Sequence, residues 1–557
     1  MTTTPIDIPS TLPELARDAD IISRVDSEAT LDHDDAVTVT VHEAEQTVHV
    51  ALDIEHMPVV DDPRKWSAFR KNFTLLQVSV GYLVAGLAIN IQTPAIDEME
   101  RDLPATASQI SLSISLFLLF QGIIPLLWST FSEIKGRKMV YVVSLAIFMV
   151  GSIVVATSKS IELVIGFRCF QAAGSSAVSS IGAATLADIF DPEERGRKMG
   201  IYYIASLVGP SAGTFLGGIL TSAFGWRGPF YFLAIISGVV LLSFILLFKD
   251  TFRRERSYTY QAILKKRLAD RAIAKKLPST EDITPAAIVA PENPGADIEK
   301  QIITRSQVTN VAKDIKVRVT DVNPFKPMWG VVTRPHNFTI LVASSLLSSF
   351  TFLVNYTTSR TLGTFYHYSP LNIGLTLVAF GLGNVLGSIL GGRWTDYQLV
   401  RLTAKNGGKR YPEVRLKSTI HGLFVFPLCI IGYGWIIGEH LHVAAVCAML
   451  FACGFFAIFV YTSTIAYIVD SNLGRSSTAV ALNSAFRGVL AFALTEVSVP
   501  MQDNLGDGWM YTILASLIII SALLISLLIW KGGQWRSKCE QKDVRKQLQE
   551  VEKTVPK

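Results

Sequence analysis

The apolar residues of this 557-residue chain are concentrated in about twelve long blocks, each near the 20 residues that a helix needs to cross a bilayer. The blocks are continuous and lack the alternation of apolar and polar residues that marks the strands of a membrane barrel. We therefore predict an all-α membrane protein with twelve transmembrane helices. These helices, spans 1 to 12, are expected near residues 73–95, 109–129, 139–157, 161–188, 199–221, 229–248, 337–359, 371–391, 418–437, 443–466, 478–500 and 509–530.

The composition agrees with a chain that lies mostly in lipid. Half of the residues are hydrophobic, only 17% are charged, and the mean hydropathy is +0.37. These values exclude a soluble multidomain enzyme and a disordered protein. A net charge of +5 is too small to indicate a nucleic-acid partner. The five cysteines form no CxxC pair and no Cys/His cluster, so we expect neither a metal site nor a disulfide framework.

A long polar segment divides the spans into six and six. Residues 37–41 alternate valine and threonine, but we expect the N-terminal tail to lack fixed structure. Residues 261–277 can form either a basic amphipathic helix on the inner leaflet or a solvated linker. The predicted domains are a cytosolic N-terminal tail (1–70), an N-terminal six-helix bundle (71–248), a central cytosolic loop (249–335), a C-terminal six-helix bundle (336–530) and a cytosolic C-terminal tail (531–557).

The two sets of six spans repeat each other. An Asn-Phe-Thr triplet begins span 1 at Asn72 and recurs 265 residues later at Asn337, where span 7 begins. Glu133 ends span 2, and Asp396 ends span 8 at a separation of 263 residues. Matches at nearly one offset indicate a duplicated six-helix unit. Such parallel repeats place a substrate site between them, near the middle of the bilayer.

Positive charges in the short loops predict the orientation of the chain. The loops after spans 2, 4, 8 and 10 are rich in lysine or arginine, whereas the loops after spans 1 and 11 are not. Because cytosolic loops carry the excess of positive charge, we expect both termini to be cytosolic. The expected location is the plasma membrane, with the vacuolar membrane as the alternative.

The loop after span 2 carries a compact charged motif. Gly136 permits a tight turn, and Glu133 can cap a neighbouring helix N-terminus. Arg137 can pair with a carboxylate, so that with Lys138 the motif would join helices at the cytosolic side. The alternative is a simple anchor of positive charge. Two carboxylates at the ends of spans 4 and 10, Asp188 and Asp470, are expected to pair with arginines in adjacent loops. The second half repeats a trace of the motif at residues 391–396, which ends at Asp396.

Spans 4 and 5 carry residues that are unusual inside a bilayer. Arg168 lies deep in an apolar helix, and such a charge is usually functional, although its side chain can also extend to an interface. Gln171 follows it one turn later. In span 5, Pro210 kinks the helix, and Gly209 and Gly213, four residues apart, permit close approach of a partner helix.

Polar residues in spans 7 and 11 complete the candidate site. Glu496 is the only carboxylate well inside a predicted span and is a candidate proton carrier, although it can instead lie near the outer interface. Arg487 can bind an anionic substrate group or pair with a carboxylate. Asn483, Asn355 and Tyr356 can supply polar contacts in a partly apolar cavity.

Three of these motifs resemble the signatures of the major facilitator superfamily: Gly-Arg-Lys after span 2, Arg-x-x-Gln in span 4 and Gly-Pro-x-x-Gly in span 5. The chain is most similar to the fungal twelve-span drug:proton antiporter family, in the branch of the quinidine-resistance and spore-wall dityrosine exporters. This resemblance implies export of small organic molecules driven by inward proton flow. It rests on residues 168–176, 194–196, 250–256, 391–396, 467–470 and 483–487.

The sequence predicts a secondary transporter and not an enzyme. It holds no GxxxxGK[ST] loop, no GxSxG and no HExxH motif, so we expect no ATP hydrolysis and no cofactor, with the proton gradient as energy source. The predicted function is proton-coupled export of drugs, organic cations or polyamines by a monomer surrounded by lipid. The alternatives are a dedicated exporter of one metabolite, such as an organic acid or a dityrosine-like compound, and a uniporter.

Overall fold

The computed structural model describes residues 36–41, 48–53, 59, 61–253, 325–405, 411–472 and 475–554. The chain divides into two units, Met1–Met57 and Pro58–Lys557. In the first, strand β1 (Ala36–Val41) pairs antiparallel with β2 (Val48–Asp53), with Ala36 opposite Asp53. The expectation of an unstructured tail was therefore wrong here, because alternating valine and threonine suit a pleated strand. The amphipathic helix predicted at 261–277 and most of the predicted central loop lie outside the described residues.

The second unit is helical, and its N-terminal half contains spans 1 to 6. A capping box between Thr106 and Gln109 begins span 2, and Pro125 divides that span into two helices. Short helices Pro63–Lys65, Thr93–Ala95 and Ile96–Asp102 flank span 1. The spans are Ala68–Asn90, Ala107–Ile123 with Pro125–Lys135, Arg137–Thr157, Ile161–Ile189, Pro192–Phe224 and Gly228–Leu246.

The C-terminal half contains spans 7 to 12. Spans 7 and 8 each begin at a proline, which suits the first turn of a helix. Short helices Phe325–Val332 and Glu413–Lys417 precede spans 7 and 9. Spans 7 to 10 are Pro335–Thr364, Pro370–Lys405, Ile420–Gly438 and Val443–Asp470, and the helical segment Ser476–Thr554 contains spans 11 and 12.

The prediction of twelve crossings is confirmed. Among the described residues, ten helices are long and apolar enough to cross a membrane. One of them, Ser476–Asp543, is interrupted at Gly506, where φ is +74°, and without a break it would be about 100 Å long, several times the bilayer thickness. It therefore supplies two crossings. The twelfth is span 4, whose 29 residues include Arg168 and are rich in small and polar side chains.

Each half has its own hydrophobic core. One cluster of buried side chains draws almost all its members from spans 1 to 6, and the other draws its members from the segment Val331–Leu528. Span 2 packs against span 11, and span 5 packs against span 8. The two six-helix bundles thus meet along two pairs of helices.

The glycine face of span 5 meets span 1, as the sequence suggested. A Cβ atom on Gly209 would lie 2.8 Å from the Cα of Gly86, and one on Gly213 would collide with the carbonyl oxygen of Leu87. Only glycine permits backbones to approach this closely. This contact fixes span 1 beside span 5.

Candidate functional site

The ends of the helical unit differ in charge. We call the end with the loops after spans 2, 4, 8 and 10 the basic end, and the end with the loops after spans 1 and 11 the acidic end. Hydrogen bonds between the two halves, within the described part of the chain, lie toward the acidic end. They include Tyr356 donating to the carbonyl of Ala107 at 3.1 Å and Ser359 donating to that of Thr93 at 2.7 Å. The halves are therefore closed against each other at the acidic end.

Near the middle of the unit, spans 2 and 11 touch through their backbones. A Cβ atom on Gly122 would lie 2.7 Å from the carbonyl oxygen of Ser484 and 2.8 Å from the Cα of Gly488. The reciprocal contact holds for Gly488, whose added Cβ would lie 2.8 Å from the carbonyl oxygen of Leu118. This is a contact across the two halves, so any relative movement of the halves changes it.

Glu496 lies in the same pair of helices, on the acidic-end side of these glycines. Its Oε1 accepts hydrogen bonds from Ser115 at 2.6 Å and Ser111 at 3.2 Å. Ser111 also contacts the carbonyl oxygen of Thr495 at 3.2 Å. A carboxylate in span 11 thus accepts hydrogen bonds from two hydroxyl groups of span 2, across the boundary between the halves.

Arg168 is completely buried in the N-terminal half. Its Nη1 donates to Gln171 at 2.6 Å and to the carbonyl of Ala88 in span 1 at 3.1 Å. The guanidinium lies 4.1 Å from the ring centre of Phe117 and 5.9 Å from that of Phe230. Its Nε and Nη2 have no hydrogen-bond partner among the described residues. The arginine therefore faces π systems and dipoles instead of a carboxylate.

A second group of polar side chains surrounds Arg487 of span 11. Its Nη1 donates to the hydroxyl of Tyr461 in span 10 at 3.1 Å, and Asn483 Nδ2 lies 3.5 Å from the same oxygen. Tyr82 of span 1 lies within electrostatic range of Arg487 and is placed against Ser206 of span 5. These side chains, which we call the central cluster, come from spans 1, 5, 10 and 11.

The charged motif after span 2 forms a compact group of ion-paired and hydrogen-bonded side chains within the N-terminal half, which we call the N-terminal lock. Arg137 Nε pairs with Asp188 at the end of span 4 at 3.3 Å, and its Nη1 contacts Ser132 at 2.5 Å. Its guanidinium lies 4.9 Å from the ring centre of Phe252. The predicted pairing of Arg137 with a carboxylate is confirmed, and it joins spans 3 and 4.

The helix cap expected from Glu133 is made by a different residue. Asp250, just after span 6, accepts a hydrogen bond at 3.0 Å from the backbone N–H of Arg137, the first residue of span 3. Gly136 has φ +89°, and a Cβ there would collide with the Asp250 carboxylate. Glu133 makes no hydrogen bond or ion pair with a described residue, because the turn directs the cap to Asp250. Lys138 donates to the carbonyl of Ile245 at 2.9 Å and so also joins span 3 to span 6.

The C-terminal half contains the matching lock. Arg415 Nε pairs with Asp470 at the end of span 10 at 2.5 Å, and its Nη1 lies 3.5 Å from Asp396 at the end of span 8. The expected pairing of Asp470 with a loop arginine is confirmed, and Arg415 also pairs with Asp396, for which no partner was predicted. The repeat seen in the sequence is therefore a repeat of structure at the basic end.

Two of the residues expected to line a cavity lie elsewhere. Asn355 is buried and donates to the carbonyl of Thr351 in its own helix at 2.6 Å, and Tyr356 forms part of the closed acidic end. The structure does not bring them to the central cluster. Conversely, Tyr82, Ser206 and Tyr461 were not among the predicted site residues. A tyrosine or serine in a span gives no sequence pattern that distinguishes a side chain lining a cavity from one packed between helices.

Removing the arginine of the N-terminal lock is expected to weaken the fold. Arg137→Gln leaves the Asp188 carboxylate without its ion pair, and loss of one partner of a largely buried pair costs about 3 kcal/mol. The melting temperature of the purified protein should fall by roughly 3 °C. The double variant R137Q/D188N should recover part of this loss, since it removes the orphaned charge. Equal melting temperatures for R137Q and the wild type would contradict this role.

The arrangement of the twelve helices is typical of one class of membrane protein. Two repeated six-helix bundles meet along two helix pairs, and the hydrogen bonds between them, among the described residues, lie toward the acidic end. This is the architecture of a secondary transporter that works by alternating access.

Comparison with known proteins identifies the family. The sequence profile of the Major Facilitator Superfamily matches residues 78–495, and this chain belongs to that superfamily. MFS antiporter QDR3 of Candida albicans is 27% identical, with 88% of this chain and 82% of that protein covered. Citrate exporter 1 of Aspergillus niger is 28% identical, with coverages of 84% and 86%. Among solved structures, a D-xylose-proton symporter has a TM-score of 0.59 at 14% identity, with 83% of this chain and 97% of that chain covered, and supports the fold.

Proposed function

We propose that this protein exports small organic molecules in exchange for protons, with Glu496 as the carboxylate that couples the two movements. The observation that carries the proposal is the position of Glu496, which is held by Ser111 and Ser115 across the boundary between the halves. The names of the relatives give further support, since they include an antiporter and an exporter.

The contact can couple protonation to movement for an electrostatic reason. When the halves separate at the acidic end, Glu496 loses the hydroxyl donors of span 2 and faces water, from which it can take a proton. A charged carboxylate in an apolar environment is costly, whereas its protonated form is much less so. Proton binding therefore changes the relative free energies of the two conformations, which is what exchange of proton for substrate requires.

The orientation is part of the same proposal. With both termini in the cytosol and the protein in the plasma membrane, the basic end faces the cytosol and the acidic end faces outside. The structure then represents a state that is closed to the outside. Because the central cluster lies within one chain, the monomer in its lipid environment is the proposed transporting unit. The proposed substrates are organic cations and other drugs, or alternatively a single metabolite. Transport assays in liposomes distinguish a transporter of many compounds from a transporter of one.

The test uses purified protein in liposomes with an imposed pH gradient, acid inside. A quinidine-like cation, spermidine, a dicarboxylate and a dityrosine derivative are offered outside. We expect Glu496→Gln to reduce gradient-driven accumulation at least tenfold, because the amide cannot take up and release the proton. Exchange of substrate for substrate without a gradient should persist, since that exchange needs no net proton movement.

The control is Glu162→Gln, which removes an exposed carboxylate at the start of span 4 and should leave accumulation unchanged. Accumulation by E496Q at the wild-type level would refute the coupling role of Glu496. Failure of every compound to accumulate in wild-type liposomes would refute the proposed export. Accumulation of one compound only would favour a dedicated exporter.

A further inference from the structure

Arg487 is a cation near the middle of the bilayer for which the described residues supply no counter-ion. It forms one hydrogen bond, to the hydroxyl of Tyr461, and no ion pair with a described carboxylate. The nearby carboxylates are engaged elsewhere: Glu496 is held by two serines, and the aspartates of the basic end pair with Arg137 and Arg415. An intramembrane charge of this kind is costly and marks a site of ligand or ion contact.

The hydroxyl group of Tyr461 accepts hydrogen bonds, but among the described residues it has no acceptor for its own hydrogen. Its oxygen accepts from Arg487 Nη1 and lies 3.5 Å from Asn483 Nδ2, so two donors converge on it. Asn483 is itself oriented by Ser344, whose hydroxyl lies 2.9 Å from Asn483 Oδ1. A phenol that accepts from a guanidinium keeps its own O–H free to donate, and the described residues provide no acceptor for it.

The cluster is accessible, in contrast to the other intramembrane arginine. Arg487, Tyr461, Tyr82 and Ser206 are each only partly buried, whereas Arg168 is completely buried. The ring of Tyr82 stacks on that of the buried Tyr202 with 4.7 Å between centroids, which holds Tyr82 in place within electrostatic range of the guanidinium. A solute at this cluster would thus meet a cation and a phenol from the C-terminal half and the ring of Tyr82 from the N-terminal half.

We propose that Arg487 and Tyr461 bind the carboxylate of the transported substrate, so that the central cluster selects organic anions over organic cations. The guanidinium supplies charge-assisted hydrogen bonds, the phenol donates a further one, and the apolar body of the substrate packs on the ring of Tyr82. The same guanidinium repels a cation placed there. This inference rests on the proposed export function and narrows its substrate class.

The first experiment compares three probes of nearly equal size that differ in charge: benzoate, benzamide and benzamidinium. Each is titrated at pH 7 against the full-length protein in detergent, and binding is read from calorimetry and from the rise in melting temperature. We expect benzoate to bind at least tenfold more tightly than benzamide, and benzamidinium to show no binding. Equal binding of benzoate and benzamide, or tighter binding of benzamidinium, would overturn the proposal.

The second experiment tests the residues. Arg487→Gln should weaken benzoate binding about tenfold to a hundredfold, Arg487→Lys should weaken it less, and Tyr461→Phe should weaken it several-fold. Arg197→Gln, at an exposed arginine of the basic end, is the matched control and should bind as the wild type does. If a variant misfolds, the comparison of the three probes still tests the proposal, because that comparison uses only the wild-type protein.

Transport in the liposome assay separates the two proposals. Gradient-driven accumulation of cations without any competition by carboxylates would overturn the anion site and leave export intact. Carboxylate binding that depends on Arg487, without gradient-driven transport of any compound, would overturn proton-coupled export and leave the anion site intact. Accumulation of the dicarboxylate that is lost in Arg487→Gln would support both.

Discussion

Replacing Arg168 with methionine is expected to abolish gradient-driven transport and yet to raise the melting temperature of the protein. Arg168 is fully buried, and its Nε and Nη2 lack hydrogen-bond partners among the described residues. Replacing a buried ion pair or triad with apolar residues of similar volume is often neutral or stabilising by about 1–4 kcal/mol, and Arg168 bears the same desolvation cost without a carboxylate partner among the described residues. For a chain of this size, we expect a rise of roughly 2 °C or more by scanning fluorimetry.

The loss of transport has a separate cause. The guanidinium joins span 4 to span 1 through the carbonyl of Ala88 and lies against Phe117 of span 2 and Phe230 of span 6. A costly charge at the meeting point of four spans is retained when function needs it. Arg168→Lys keeps the charge but loses the planar fork, so it should transport poorly and gain no stability. Wild-type transport by R168M, or a melting temperature several degrees lower, would contradict this account.

Replacing Gly122 with valine is expected to open the acidic end and to stop transport. The added side chain would meet the backbone of Ser484 and Gly488 in the other half, at Cβ distances of 2.7 and 2.8 Å. Such overpacking costs about 1–3 kcal/mol, and here it acts only on the conformation in which spans 2 and 11 touch. The closed state should therefore lose population by about tenfold.

Electron–electron distances between spin labels at Arg101 and Asn504, two exposed residues of the acidic end, measure this shift in a variant lacking the native cysteines. We expect a longer distance in Gly122→Val than in the parent protein. Gly166→Val is the matched control, because nothing lies within 4 Å of a Cβ at Gly166. An unchanged distance in G122V with intact transport would show that this contact does not set the conformation.

Local sequence features predicted most of the architecture because the bilayer restricts the possible structures. A run of about 20 apolar residues must form a helix in lipid, since only a helix satisfies its own backbone groups. Sequence also predicted the glycine face of span 5 and the pairing of Asp188 and Asp470 with arginines, although it did not say which arginine pairs with which aspartate. The hairpin at residues 36–53 was misjudged, because strand pairing in a polar segment depends on a partner strand.

The central cluster could not be predicted in the same way. Tyr82 and Arg487 lie about 400 residues apart in the chain and meet only because the two bundles pack together. Whether a polar side chain in a span faces a neighbour, lipid or the space between the halves depends on the rotation of its helix, which composition leaves undetermined. For the same reason, the cap at Gly136 fell to Asp250, which approaches span 3 from the end of span 6, and not to the nearer Glu133.

The sequence alone determined the twelve spans, their division into two repeated sets, the family and the residues that carry charge inside the membrane. Only the tertiary structure decided which of those charges are satisfied. It placed Glu496 against the serines of span 2 and Arg168 among aromatic rings, and it gave Arg487 a hydrogen bond to Tyr461 but no carboxylate partner among the described residues. The physical reason is that the sequence shows which charged residues lie within the apolar spans, where burying a charge is unfavourable. The hydrogen bonds, ion pairs and ring contacts that offset this free energy come from residues distant in the chain.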